Sequence, residues 1–136
     1  MATARPKFLK ERSPRILMVD SDPEHGKSVT EWLQQYDMKP MWVRTCREAM
    51  DLMYDMVFIE SSIDAILVEH SAENGSGKRV IQEFRHEFPG VAAALTTSKD
   101  DIALELWSRA RQVPILRRPL VKESLAQWLD QFRVPA

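Results

Sequence analysis

The chain has 136 residues, enough for one domain that buries roughly two-thirds of its unfolded surface without disulfide or metal staples. Nineteen Lys and Arg against twenty Asp and Glu leave a formal charge of −1, which excludes both a net basic field for nucleic acid and an acidic tail. The single cysteine, Cys46, excludes an internal disulfide and a cysteine-based metal cluster, and reads as a small helix residue in a reducing compartment.

The opening MATARPKFLKERSPR is basic but has no apolar run long enough for a signal-peptide core, and no stretch approaches the ~18 apolar residues of a membrane span, so a cytoplasmic protein is expected. Residues 1–14 read as a flexible lead-in ending at Pro14, 15–133 as one domain, and 134–136 as a tail or the start of a linker. The run RILMV, from Arg15 to Val19, is too short for a helix and does not alternate, the pattern of a strand covered on both faces. Asp20 and Asp22 follow, and an Asp before Pro-Glu is a good cap for a helix whose Val29, Trp32, Leu33 and Tyr36 form an apolar stripe.

A weaker strand, MWV at 41–43, precedes a capping box of Thr45 with Glu48 and a helix carrying Ala49, Leu52, Met53 and Met56 inward. AILV at 65–68 is the third strand. Gly77 opens a third helix, with Val80, Ile81 and Phe84 inward, that stops before Pro89 and Gly90. VAAAL at 91–95 is the fourth strand, and Ser98 with Asp101 reads as a second capping box before Leu104 and Trp107. PIL at 114–116 and the stripe Leu125, Trp128, Leu129, Phe132 complete the order.

Strand then helix, five times with short connections, specifies a flavodoxin-like (βα)5 fold, a doubly wound α/β domain with a five-stranded parallel sheet. Function in such sheets gathers beyond the carboxyl ends of the strands, which selects Asp20 to Asp22, Glu69 to Glu73, Thr96 to Ser98 and Arg117 to Pro119. The segment NGSGK fails as a nucleotide loop, because Ala72 stands where the first Gly is needed and Arg79 where a hydroxyl is needed, so it reads as a Gly-rich turn. His25 and His70 have no metal-ligand spacing and read as solvated surface residues. Neither has an acid two places before and a Gly three places after, so a cobalamin signature is absent.

From about Arg15 to Phe132 the chain resembles the receiver domain of two-component response regulators, in a degenerate, pseudo-receiver form. RILMVDSDP resembles the first strand and acidic turn, DAILVEHSAENGSG the strand ending in the phosphorylated Asp with its loop, ALTTS the strand ending in the switch hydroxyl, and ILRRPL the strand ending in a Lys-Pro pair. The resemblance implies a site in which an Asp attacks a phosphohistidine while Mg²⁺ and a Lys offset the phosphoryl charge.

Set against that chemistry, Asp20 keeps the first acid, Ser21 replaces the second, and Asp22 lies one position late, so Mg²⁺ binding is expected to be weakened or lost and no cofactor is expected. Glu69 replaces the acceptor Asp and resembles an imperfect permanent copy of the phosphorylated state. Arg118 stands in the Lys place, where its planar fork can grip a carboxylate, and a Glu69–Arg118 ion pair is expected. Thr96 keeps the switch hydroxyl, Ile115 replaces the switch aromatic, and Glu73 replaces a Pro common in the loop.

These losses imply a non-enzymatic signalling module acting through protein contacts. An active phosphoacceptor using an atypical site and a small-ligand-binding domain remain alternatives. DDIALELWSRARQV carries more apolar circumference than one core stripe absorbs. By the resemblance, the surplus belongs to a partner or homodimer surface built from the fourth helix, fifth strand and fifth helix. Trp107 would be its anchor and Arg109, Arg111 and Gln127 its polar rim; packing of Trp107 in the core is the competing reading. No nucleic acid or membrane contact is expected.

Overall fold

Short apolar runs and amphipathic helices alternate in a computed structural model that describes residues 13–59, 61–71 and 76–131. In chain order the elements are β1 (Arg15–Val19), α1 (Pro23–Gln35), β2 (Lys39–Val43), α2 (Cys46–Phe58), β3 (Ala65–Glu69), α3 (Gly77–Glu87), β4 (Ala92–Thr97), α4 (Ile102–Arg111), β5 (Ile115–Arg117) and α5 (Lys122–Asp130). The strands form one parallel sheet in the order β2-β1-β3-β4-β5, so the order reverses between β1 and β3. The flavodoxin-like (βα)5 architecture expected from the pattern is the one observed.

Each face of the sheet buries its own apolar layer. Val29 and Leu33 of α1 pack with Leu125, Trp128 and Leu129 of α5 on one side. Met53 of α2, Val80, Ile81 and Phe84 of α3, and Leu104 of α4 pack on the other. The continuous apolarity of β1 and β3 follows, since successive side chains of a central strand enter opposite layers and both are dry. Trp128 and Phe84, at 1% and 0% exposure, are the largest side chains sealed in these layers.

Local signals explain most helix starts. Asp22 caps α1, its side chain accepting from the N–H groups of Glu24 and His25, with Pro23 in the first turn. The Thr45–Glu48 capping box at α2 is formed reciprocally. At α4 the cap is Asp101, whose carboxylate accepts from Leu104 N–H, and not Ser98; the helix begins three residues later than a Ser98 cap would place it. Its other end is held by Arg85 of α3, which donates to the carbonyls of Arg111 and Gln112.

Three strands are longer than the apolar runs suggest, β3 by the single residue Glu69. β4 runs on through Thr96 and Thr97, both buried, because they pair with Leu116 and Arg117 of β5 and Thr96 also pairs with Glu69 of β3. β2 begins at Lys39, where Lys39 and Pro40 align with Arg15 and Ile16; a Pro is tolerated on this edge strand. Residues 1–12 of the lead-in, Ala72 to Gly75 with Glu73 and the start of the Gly-rich turn, and Phe132 with the tail lie outside the described residues.

Candidate functional site

Parallel register gathers the site. Val19 aligns with Val68 and Glu69 aligns with Thr96, so the residues that end β1, β3 and β4 stand side by side at the carboxyl edge of the sheet. Arg118 follows β5 and its N–H donates to Thr97 O at 2.9 Å, which carries its side chain back over the same edge; the Arg118–Pro119 peptide is cis. Asp20, Ser21, Glu69, Thr96 and Arg118 therefore meet, and the switch in strand order between β1 and β3 lies beneath them.

Asp20 is the hub. Its carboxylate accepts from both terminal nitrogens of Arg118, Nη2 at 3.0 Å and Nη1 at 3.2 Å, the two-point grip a guanidinium makes and an ammonium cannot. It also accepts from Asp22 N–H at 3.0 Å and is bonded to His25 Nδ1. His25 Nε2 in turn accepts the Leu120 N–H at 2.9 Å, so the proton between the imidazole and Asp20 sits on Nδ1. His25 was expected at the solvated surface; its side chain is only 9% exposed, because α1 sets it one turn into the helix, between the Asp20 carboxylate and the chain leading into α5.

The expected Glu69–Arg118 ion pair is made, at the outer limit of contact, while the hydrogen bonds of Glu69 go elsewhere. Its Oε1 accepts from Ser21 N–H at 2.9 Å and from Ser21 Oγ at 2.8 Å, while Arg118 Nη2 lies 4.0 Å from Oε2, without a hydrogen bond. The guanidinium makes its direct bonds to Asp20 and donates a third to Thr96 Oγ1 at 3.1 Å. The physical reason is local: Ser21 offers Glu69 two donors on one residue, whereas Asp20, 4% exposed, has no water to offset its charge and takes the cation.

Electrostatics follow this geometry. Burial pushes the Asp20 carboxyl upward, but the hydrogen bonds from His25 and Arg118 outweigh it and hold the group below the usual carboxylate range. Burial and the charge of Lys78 push His70 down. Its Nδ1 is enclosed without a hydrogen-bond partner among the described residues, so His70 is no freely solvated surface residue either. Burial raises the Cys46 thiol, with a further push from Glu69. Asp22 spends its carboxylate on capping α1, at 3.0 Å from Glu24 N and 3.2 Å from His25 N.

The remaining candidates scatter. Ile115 packs against the layer beneath α4, and a hollow of about 230 Å³ between α4 and β5 is lined by Thr97, Leu104, Ser108, Ile115 and Arg117. Trp107 is half-buried, packed against the same layer with Lys78 Nζ 5.7 Å from its ring centroid. The surplus apolar surface of α4 is Ile102 and Leu106, 77% and 59% exposed. Arg109, Arg111 and Gln127 are exposed.

Sequence reasoning missed two supports of the site. Trp42 Nε1 donates to Asp20 O at 2.9 Å, and its ring lies so close over Gly26 that a Cβ there would stand 2.2 Å from it. His25 is the other. A His three residues after a helix cap is the only signal for it, and nothing in the sequence pairs Trp42 with Gly26.

The class that this architecture defines is the receiver fold of response regulators, a CheY-like domain of five parallel strands and five helices. Similar solved structures include a CheY-like response regulator receiver domain from Methanospirillum hungatei JF-1 (15% identity, 88% of this chain and 92% of that one, TM-score 0.77). Others are the signal receiver domain of an HD domain-containing protein from Pseudomonas fluorescens Pf-5 (19%, 88% and 94%, 0.75) and the non-phosphorylated HemR receiver domain from Leptospira biflexa (18%, 91% and 99%, 0.76). At these identities the likeness establishes the fold. No protein-family model and no curated protein matches the sequence. Among the described residues no helix is long and apolar enough to cross a membrane.

Proposed function

We propose that this chain is a phosphorylation-independent, receiver-like regulatory module that is not an enzyme and signals through protein contacts. The observation that carries the reading is the grip of Arg118 on Asp20 and Thr96, with Glu69 turned aside onto Ser21. In-line phosphoryl transfer needs a free carboxylate oxygen facing the donor and cations to meet the charge that develops. Here Glu69 Oε1 already accepts two hydrogen bonds, Oε2 faces the Arg118 guanidinium at 4.0 Å instead of an open donor site, and the switch-position hydroxyl of Thr96 is engaged by the cation.

The pocket also fits a divalent cation poorly. Both Asp20 oxygens are occupied by guanidinium and imidazole donors, Ser21 supplies no charge, and Asp22 is committed to its helix. Among the described residues no three His, Cys, Asp or Glu side chains are grouped to share a metal. Arg118 supplies the positive charge from within, so the domain holds one arrangement without a cofactor. Ile102 and Leu106 of α4, together with the exposed Val121 ahead of α5, make the α4–β5–α5 face the natural place for a protein partner.

The test is incubation with acetyl phosphate and Mg²⁺, followed by intact mass. The expected result is an unchanged mass. A gain of one phosphate mapped to Glu69, Asp20 or Asp22 would overturn the reading, and restoring both Glu69→Asp and Ser21→Asp is expected to recover Mg²⁺ binding where either change alone does not.

A further inference from the structure

A second unpartnered surface lies on the opposite flank, along α2. Tyr54, Phe58 and Ile59 are 60%, 88% and 68% exposed at the end of a helix whose inward face, Cys46, Ala49, Met53 and Met56, is buried. Arg47, Asp51, Tyr54 and Phe58 recur at i, i+4, i+7 and i+11, which places them on one outward stripe, with Asp55 beside it. A cation opens the stripe, acids occupy its middle, and aromatics close it.

Between α2 and α3 runs a groove of about 510 Å³, lined by Arg47, Met50, Tyr54, Ser76, Arg79 and Val80 beside the Cys46 position. Its floor is apolar, and both of its charged residues are arginines. The complement of this groove is a helix that carries an aromatic next to an acid. The outward stripe of α2 is such a helix: Phe58 lies three residues from Asp55 and four from Tyr54.

We infer that α2 is a self-complementary interface that joins two copies of this chain about a two-fold axis. With the two α2 helices antiparallel and the axis beside their middle, the end carrying Phe58, about 16 Å along the helix from Arg47, reaches the other copy's groove. Phe58 then enters between Arg47, Met50, Arg79 and Val80 of the second copy, where a guanidinium can lie over its ring, and Asp55 meets Arg79. Symmetry repeats each contact, so both exposed aromatics and both cationic grooves are covered at once. This inference is independent of the phosphorylation reading and uses a different face from α4–β5–α5.

Sedimentation velocity over a concentration series tests it. The wild type is expected to dimerise, and Phe58→Glu to remain monomeric at concentrations where the wild type is mostly dimer. Asp55→Arg and Arg79→Asp are each expected to be monomeric alone, yet to form a heterodimer when mixed, because each new charge meets its complement across the axis. That recovery also shows that both variants are folded. A wild type that stays monomeric throughout overturns the inference. So does a dimer indifferent to Phe58→Glu but abolished by Leu106→Glu, which would place self-association on α4, and so does a mixture of the two charge variants that fails to associate.

Discussion

Replacing Arg118 by Met removes three hydrogen bonds, two to Asp20 at 3.0 and 3.2 Å and one to Thr96 at 3.1 Å. Breaking a buried ion pair from one side typically costs about 3–5 kcal/mol, because the remaining charge has neither partner nor water. Asp20, at 4% exposure, meets that description, but it keeps its bonds to His25 and Asp22 N–H. With charge-assisted hydrogen bonds contributing about 1.5–3 kcal/mol each, the expected loss is about 2–4 kcal/mol. Contact with Glu69 at 4.0 Å, without a hydrogen bond, adds about 0–1 kcal/mol.

Urea unfolding of Arg118→Met, Asp20→Asn, Glu69→Gln and the two double variants separates these contributions. The Arg118–Asp20 cycle is expected to give a coupling of about 2 kcal/mol, and the Arg118–Glu69 cycle less than about 1. A larger coupling to Glu69 than to Asp20 would refute the assignment of Asp20 as the cation's main partner and make the Glu69 ion pair the dominant one.

Because the Asp20 carboxyl is held below its ordinary value in the fold, the stability it contributes is complete above the unfolded value of about 3.9 and is lost as pH falls through the folded one. Urea midpoints from pH 6 downward are expected to fall more steeply for the wild type than for Asp20→Asn below about pH 4; parallel profiles would contradict the cause given. Gly26→Ala adds a Cβ 2.2 Å from the Trp42 ring, so overpacking of about 1–3 kcal/mol should outweigh the roughly 0.5–1 kcal/mol that Ala gains within a helix, and a stabilised variant would show that the indole yields freely. Trp107→Ala is expected to destabilise the domain by about 1–3 kcal/mol, less than the loss of a fully buried Trp, without changing its sedimentation; loss of association at unaltered stability would place Trp107 in an interface.

The sequence by itself determined the order and type of the elements, because that information is local. β1 reads as a dry strand from five consecutive residues, and the caps at Asp22 and the Thr45–Glu48 box follow from residues three apart. It also determined which residues arrive at the sheet's carboxyl edge, since each stands at its strand's end or directly after it. Only the tertiary structure decided who pairs with whom there. Glu69 and Asp20 are both within reach of one guanidinium, and the choice between them rests on distances of 4.0 against 3.0 Å, on Ser21 offering two donors to Glu69, and on the burial of Asp20. His25 reached the pocket for a similar reason. Its place depends on Leu120 N–H, 95 residues away in the chain, and no local pattern encodes a contact whose energy comes from two segments brought together by the sheet. Trp107 is half-buried against the core while Ile102 and Leu106 stay out, because an apolar stripe wider than its core contact fixes how much surface is left over but not which side chain supplies it.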